Sequence, residues 1–138
     1  MKHIALLALL VTLLSGCGES VFQTNQIDKQ HLLFLHNKER GSKNLEQLLE
    51  DPELDQLAQK HSEWMAKYSF IHSRLNLSKY NYMGENIAKG QETEESVIEG
   101  WMQSHGHRQN ILNSNYTHAG IGYVKANGKS YWCVIFGG

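Results

Sequence analysis

Four short segments concentrate side chains able to move protons, ligate a metal or attack a carbonyl: His72-Ser73, Gly84-Glu85-Asn86, Ser104-His105-Gly106-His107-Arg108 and Thr117-His118. None is a local catalytic signature. The chain has no His-Glu-x-x-His, no Gly-x-Ser-x-Gly and no glycine-rich phosphate loop. His105 and His107 form a chelating pair only if the backbone there is extended, because alternate residues share a face in a strand and not in a helix. Arg108 reads as a structural hydrogen-bond donor, and His31, His36 and His61 as packing or surface residues of helices. Glu92, Glu94 and Glu95 read as the solvated start of a helix. Trp101 and Trp132 read as core, and Cys133, in the run Tyr131 to Phe136, as a buried and unreactive thiol.

The elements that must position these residues follow from periodicity. Asp28 to Arg40 is expected to be helical, with Ile27, His31, Phe34 and Leu35 near one face and Gly41 ending it. A second helix starts with Asp51 as its cap, Pro52 in its first turn and Glu53 favouring the dipole. Leu54, Leu57, Ala58, His61, Met65 and Tyr68 then recur at helical spacing. A third is capped by Thr93 and carries Val97, Ile98, Trp101 and Met102. A helical turn from His107 to Leu112 follows. Then the period changes. Ile121 to Lys125 and Ser130 to Phe136 flank Asn127-Gly128, whose two turn positions tolerate φ > 0, and this predicts a β-hairpin. Tyr82 to Ala88 is a weaker strand candidate. Helices followed by a hairpin point to an α+β domain rather than βαβ units.

The whole chain is 138 residues, enough for one domain, and its apolar fraction of 41% excludes general disorder. A formal charge of −1 argues against a nucleic-acid partner. Two cysteines, at 17 and 133, supply neither a disulfide framework nor a Cys-only zinc site. Residues 1–16 read as an export signal: Lys2 and His3, then an apolar run from Ile4 to Leu14 that is too short to span a bilayer. Leu14-Ser15-Gly16-Cys17 resembles the bacterial lipobox. That implies cleavage before Cys17 and attachment of a diacylglyceryl group and fatty acids such as palmitate to its thiol and amine. Several acyl chains on one residue would hold the protein at a membrane without a spanning helix. Residues 17–27 would then be the lipidated cysteine and a short tether, and 28–138 the domain. Gly18, where Asp would signal retention, implies the outer membrane in a Gram-negative host.

Several blocks occur in a familiar order: His36-Asn37-x-x-Arg40, Leu57-Ala58-Gln59, His72-Ser73, Gly84-Glu85-Asn86-Ile87-Ala88, Trp101, Gly106-His107-Arg108-x-Asn110-Ile111-Leu112, Gly120-Ile121-Gly122 and Tyr131-Trp132. Together they resemble the CAP superfamily of cysteine-rich secretory, antigen 5 and pathogenesis-related-one proteins, in its short bacterial SCP-like branch. The resemblance implies a three-layer α-β-α sandwich around a central antiparallel sheet, with a shallow cleft. It implies a cleft of His72, Glu85 and His107, with Ser104 standing where the family carries a second acid, and zinc held by His72 and His107. The family's disulfides are missing. On this basis the chain is expected to be a lipid-anchored cell-envelope protein whose His/Glu cleft binds a lipid or cell-wall component. The alternatives are a protease-like hydrolase using His72, Glu85 and His107, and a purely structural envelope lipoprotein.

Overall fold

A computed structural model describes residues 27–138. The export signal, Cys17 and residues 18–26 of the tether lie outside the described residues. Four helices and four strands follow one another as α1 (Lys29–Gly41), β1 (Leu49–Glu50), α2 (Pro52–Lys67), β2 (Met83–Lys89), α3 (Glu94–Gln103), α4 (His105–Ile111), β3 (His118–Ala126) and β4 (Lys129–Gly137). The sheet runs β1-β3-β4-β2. The β3–β4 and β4–β2 pairs are antiparallel, while β1 runs parallel to β3 through Leu49 and Glu50 only. The expected sandwich is therefore present, with a sheet that is mixed at one edge. A two-residue strand has no periodicity to reveal it in the sequence.

Alternation along β4 builds the layers. Trp132, Val134 and Phe136 face α1, α3 and α4, joining Leu32, Val97, Ile98, Trp101 and Ile111 in one core. Tyr131, Cys133 and Ile135 face α2, joining Leu54, Ala58 and Met65 in the other. The Asn-Gly turn behaves as expected, with Asn127 at φ 51° and Gly128 at φ 71°. Asp51 caps α2 by accepting from the amides of Glu53 (2.8 Å) and Leu54 (3.1 Å). Burial alone would raise the Asp51 carboxyl, but Lys79, the Tyr80 hydroxyl and these amides hold it well below the usual carboxylate range. Thr93 caps α3 in a reciprocal box with Ser96. The acids at the start of α3 lie at the surface, Glu92 and Glu95 exposed, and also make ties: Glu94 accepts from the Asp28 amide (2.8 Å), Glu95 pairs with His31 (2.7 Å) and Glu92 with Lys125 (2.6 Å).

Helix α1 departs from the expected face. Its buried residues are Leu32, His36 and Arg40, while Phe34 is 60% exposed. These three recur every fourth residue, and the polar two are buried because they find partners. Nor does Gly41 end the helix through a left-handed turn; the positive φ falls at Asn44 (57°). Similarly, Tyr68 leaves the helical stripe of α2 and is exposed, and His105 and His107 lie two apart on α4, so they do not share a face.

His36 carries a pH prediction. Its Nδ1–H donates to the Leu32 carbonyl (2.8 Å), leaving Nε2 buried without a partner beside the rings of Trp101 and Phe136. Burial, then the Arg40 charge, push its pKa down from 6.5 to about 4. Below pH 6.5 the unfolded chain takes a proton that the native state refuses, so stability is whole above that value and falls as pH drops towards 4. A tenfold difference in proton affinity corresponds to ~1.4 kcal/mol, so His36 alone should remove ~3 kcal/mol across this window. His31, raised by Glu95, acts in the opposite direction. Denaturant melts of the chain and its His36→Leu variant from pH 7 to 4 isolate the His36 contribution, because the other histidines are common to both. Parallel slopes would contradict it.

Candidate functional site

Strand β2 turns Glu85 towards the α2 layer, opposite Ile135 of β4, in the same row as the Ile87–Cys133 pair. The segment from Ser69 to Tyr82 has no helix or strand, and it lies over this carboxylate. Glu85 is buried, 7% exposed, yet each of its oxygens is satisfied. Oε1 accepts from His72 Nδ1 (2.8 Å) and the Ser73 amide (2.9 Å); Oε2 accepts from the Ser73 hydroxyl and lies 3.7 Å from the Cys133 thiol. A buried carboxylate tolerates loss of water only when donors replace it, and here one loop supplies three of them. With Nδ1 engaged by Glu85, the exposed His72 ring keeps Nε2 available for a further partner.

Two further neighbours belong to this group, and no motif marks them. His61 of α2 donates through Nε2 to the Ile71 carbonyl (2.9 Å) and sits 3.8 Å from Glu85 Oε2. Cys133 supplies the nearby thiol; burial first, and the Glu85 charge second, raise its pKa well above the usual thiol value, so it stays protonated. Helical spacing places His61 on the inner face of α2, but only the packing of α2 over β4 and the β2–β4 register bring these residues to one carboxylate. A cavity of about 320 Å³ lined by His61, Trp64, Ile71, His72, Ser73 and Arg74 opens beside them.

His107 approaches from the other face of the sheet. Asn86 Nδ2 donates to the His107 carbonyl (3.0 Å), and Asn110 Nδ2 donates to the Glu85 carbonyl (3.1 Å) and to Asn86 Oδ1 (2.9 Å). This amide ladder fixes the start of α4 against β2. The half-buried His107 ring is 6.4 Å from that of Trp101, and burial, then the His72 charge, lower its pKa. Trp101 donates to the Ile87 carbonyl (3.1 Å), so the indole is a floor rather than an exposed platform. Ser104 joins α3 to α4, half-buried, and makes no side-chain capping bond. Thus His72, Ser73 and Glu85 are in direct contact, and His107 is near enough to feel the His72 charge. Ser104 stands apart from this hydrogen-bonded group. Arg108 donates to the Met102 carbonyl (3.2 Å), a structural role.

The residues fit a metal poorly. Among the described residues no three His, Cys, Asp or Glu side chains are grouped so as to hold a metal ion. Glu85 has its oxygens engaged, His72 offers one nitrogen, and Ser104 stands where a further acid would help.

The remaining motif blocks prove to be packing and hydrogen-bonding devices. Asn37 clasps the Leu48 backbone through both its amide (2.8 Å) and its carbonyl (3.0 Å), and Arg40 donates to four carbonyls. Beyond β1 the outer edge of β3 is open, and α2 covers it: Asp55 accepts from the Ile121 amide (2.6 Å), and Gln59 bonds both the amide (3.1 Å) and the carbonyl (3.0 Å) of Tyr123.

Comparison with known proteins agrees with this architecture. Uncharacterized protein YkwD of Bacillus subtilis strain 168 is 42% identical over 114 residues, which is 74% of this chain and 44% of that protein. The chain thus spans less than half the length of this relative. An extracellular protein containing an SCP domain from Bacillus anthracis aligns with 26% identity and a TM-score of 0.68, covering 78% of this chain and 39% of that one. An outer surface protein of Borrelia burgdorferi has the same fold, with a TM-score of 0.76 at 20% identity over 86% of this chain and 98% of its own. The sequence model of the cysteine-rich secretory protein (CAP) family matches residues 33–136, nearly all of the described domain. With the blocks in order and the sandwich assembled around them, the chain belongs to the CAP family.

Proposed function

We propose that the chain is an extracytoplasmic CAP-domain protein, anchored through lipid on Cys17, that presents the cleft of His72, Glu85 and His107 to a ligand of the cell envelope. The observation that carries the binding reading is the saturated state of Glu85. A carboxylate already accepting from His72, the Ser73 amide and the Ser73 hydroxyl is a fastener for the loop over it and a poor general base. Its work is to fix His72, whose Nε2 is then free to hydrogen-bond a polar ligand. The apolar lining from Trp64 and Ile71 beside it suits a ligand with a hydrophobic part. The location is supported by the extracellular Bacillus anthracis relative and by the export signal and lipobox-like tetrad of residues 1–17. No helix among the described residues is long and apolar enough to cross a membrane.

A membrane-lipid extract and soluble peptidoglycan fragments, each passed over the immobilised chain, test the cleft. Retained material should be lost from the His72→Ala/His107→Ala variant and kept by Lys38→Gln, a distant surface change. Hydrolysis of casein or peptidoglycan that disappears in Glu85→Gln would overturn the binding reading in favour of a hydrolase. In cells fed a fatty-acid analogue, label should appear on the chain and be absent from Cys17→Ala; an unlabelled chain would remove the anchor.

A further inference from the structure

We propose that the end of α2 and the segment after it form a surface that seats on an anionic bilayer. Seven large apolar side chains are well exposed among the described residues, and four of them, Trp64, Tyr68, Phe70 and Ile71, fall in one short stretch. Three of them adjoin in space as well: the Trp64 ring stacks on His61 at 5.8 Å and meets Tyr68 at 5.4 Å, and Trp64 lines one cavity with Ile71. A patch of this kind on a folded domain marks a surface that is covered in use.

Its chemistry is that of a membrane interface. Lys60 and Arg74 line one cavity with Trp64, and Lys67 precedes Tyr68; besides the buried Glu85, the acid of this stretch, residues 57–77, is Glu63, which accepts from Gln59 (2.9 Å). This excess of positive charge stands out in a chain of formal charge −1. Lys60 and Arg74 have no carboxylate partner among the described residues, and Lys67 lies 5.1 Å from the centre of the Tyr68 ring. Tryptophan and tyrosine settle at headgroup depth, and long cationic side chains reach phosphates from beside them. Phe70 and Ile71 have no polar group with which to read a sugar, so a bilayer fits better than a glycan strand.

The geometry of the chain's start allows the same placement. Lys29, at the beginning of the domain, pairs with Asp55 of α2 at 3.9 Å. Trp64 is nine residues further along that helix, ~14 Å away at 1.5 Å per residue. The ten-residue step from Cys17 to Ile27 extends at most ~35 Å, so a lipid on Cys17 and the patch can meet one membrane plane. That last step rests on the anchor proposed above; the patch does not.

Trp64 supplies the test, because the chain's other two tryptophans, Trp101 and Trp132, are buried at 2% and 0% exposure. The full chain is mixed with vesicles of phosphatidylcholine, alone or with phosphatidylglycerol, whose acyl chains are brominated. Emission from Trp64 is read as the difference between the chain and its Trp64→Phe variant. With phosphatidylglycerol it should shift to the blue and be quenched. Each of Lys60→Gln, Lys67→Gln and Arg74→Gln should weaken the effect about fivefold, as expected for a cation at an anionic surface. Salt at ~1 M, which shortens the screening length to ~3 Å, should abolish it. Unquenched Trp64 on chain that floats with the vesicles would overturn the proposal while leaving the anchor standing. Equal quenching without phosphatidylglycerol, or a response to peptidoglycan strands in place of vesicles, would overturn it too. Quenching retained in Cys17→Ala would sustain the patch whether or not the anchor exists.

Discussion

The Arg40→Met variant is expected to lose about 3–5 kcal/mol of folding stability, the largest effect of any polar substitution in the domain. Arg40 is 1% exposed and has no carboxylate partner among the described residues; its charge is balanced by carbonyl dipoles. Nε donates to Glu46 (2.8 Å), one terminal nitrogen to Ile111 (3.0 Å) and Asn113 (2.8 Å), and the other to Tyr116 (3.0 Å). These bonds join the turn after α1 to the α4–β3 connection, segments about seventy residues apart in sequence. Methionine would fill much of the volume but leave the buried Ile111 and Tyr116 carbonyls without donors, each costing ~1–3 kcal/mol unless water enters. Arg40→Lys should recover only a minor part, because one ammonium cannot serve carbonyls arranged for a planar fork. Urea melts at pH 7 measure both variants. A change below ~1 kcal/mol in Arg40→Met would mean that water replaces the guanidinium at little cost.

The Gly122→Ala variant is expected to cost about 3 kcal/mol or more, at or above the top of the usual range for overpacking. A methyl at this position would lie 2.1 Å from the backbone carbonyl carbon and oxygen of Ala58, and one at Gly120 would lie 2.1 Å from that of Leu54. The obstacle is helix backbone, which cannot swing aside as a side chain does. To make room α2 must lift from β3, and lifting it strains the Asp55 and Gln59 bonds that cover the β3 edge. The control is Gly41→Ala, where the added methyl meets nothing and the residue is helical; it should be stabilising by ~0.5–1 kcal/mol. Thermal or urea melts showing the two alanine variants alike would contradict the close approach of helix to strand.

These two sites recast the motif blocks. His36-Asn37-x-x-Arg40, Leu57-Ala58-Gln59 and Gly120-Ile121-Gly122 hold the sandwich together, and Asn86 with Asn110 locks α4 to β2. Of the remaining motif residues, His72 and Ser73 line the cavity beside α2, Glu85 lies buried beneath them and His107 is half-buried on α4. Even there Glu85 is first a structural acceptor, with both oxygens engaged by His72 and Ser73.

Much of the fold is legible in the residues. Asp51-Pro52, Thr93 and Asn127-Gly128 declare the ends of α2, α3 and the hairpin, because caps and turns are set by chemistry within a few residues. The apolar run from Tyr131 to Phe136 declares a strand buried on both faces. What local reading misses is anything that depends on a distant partner. The buried face of α1 consists of His36 and Arg40 as much as Leu32, and only the carbonyls of another loop make an arginine tolerable there. β1 exists because β3 offers it an edge. His61 and Cys133 reach Glu85 through helix-on-sheet packing and strand register, which no local spacing encodes. Residue order and type were enough for the elements, their succession and the family. Which polar residues meet was decided by the assembled fold, because burial and hydrogen bonding are settled between segments far apart in the chain.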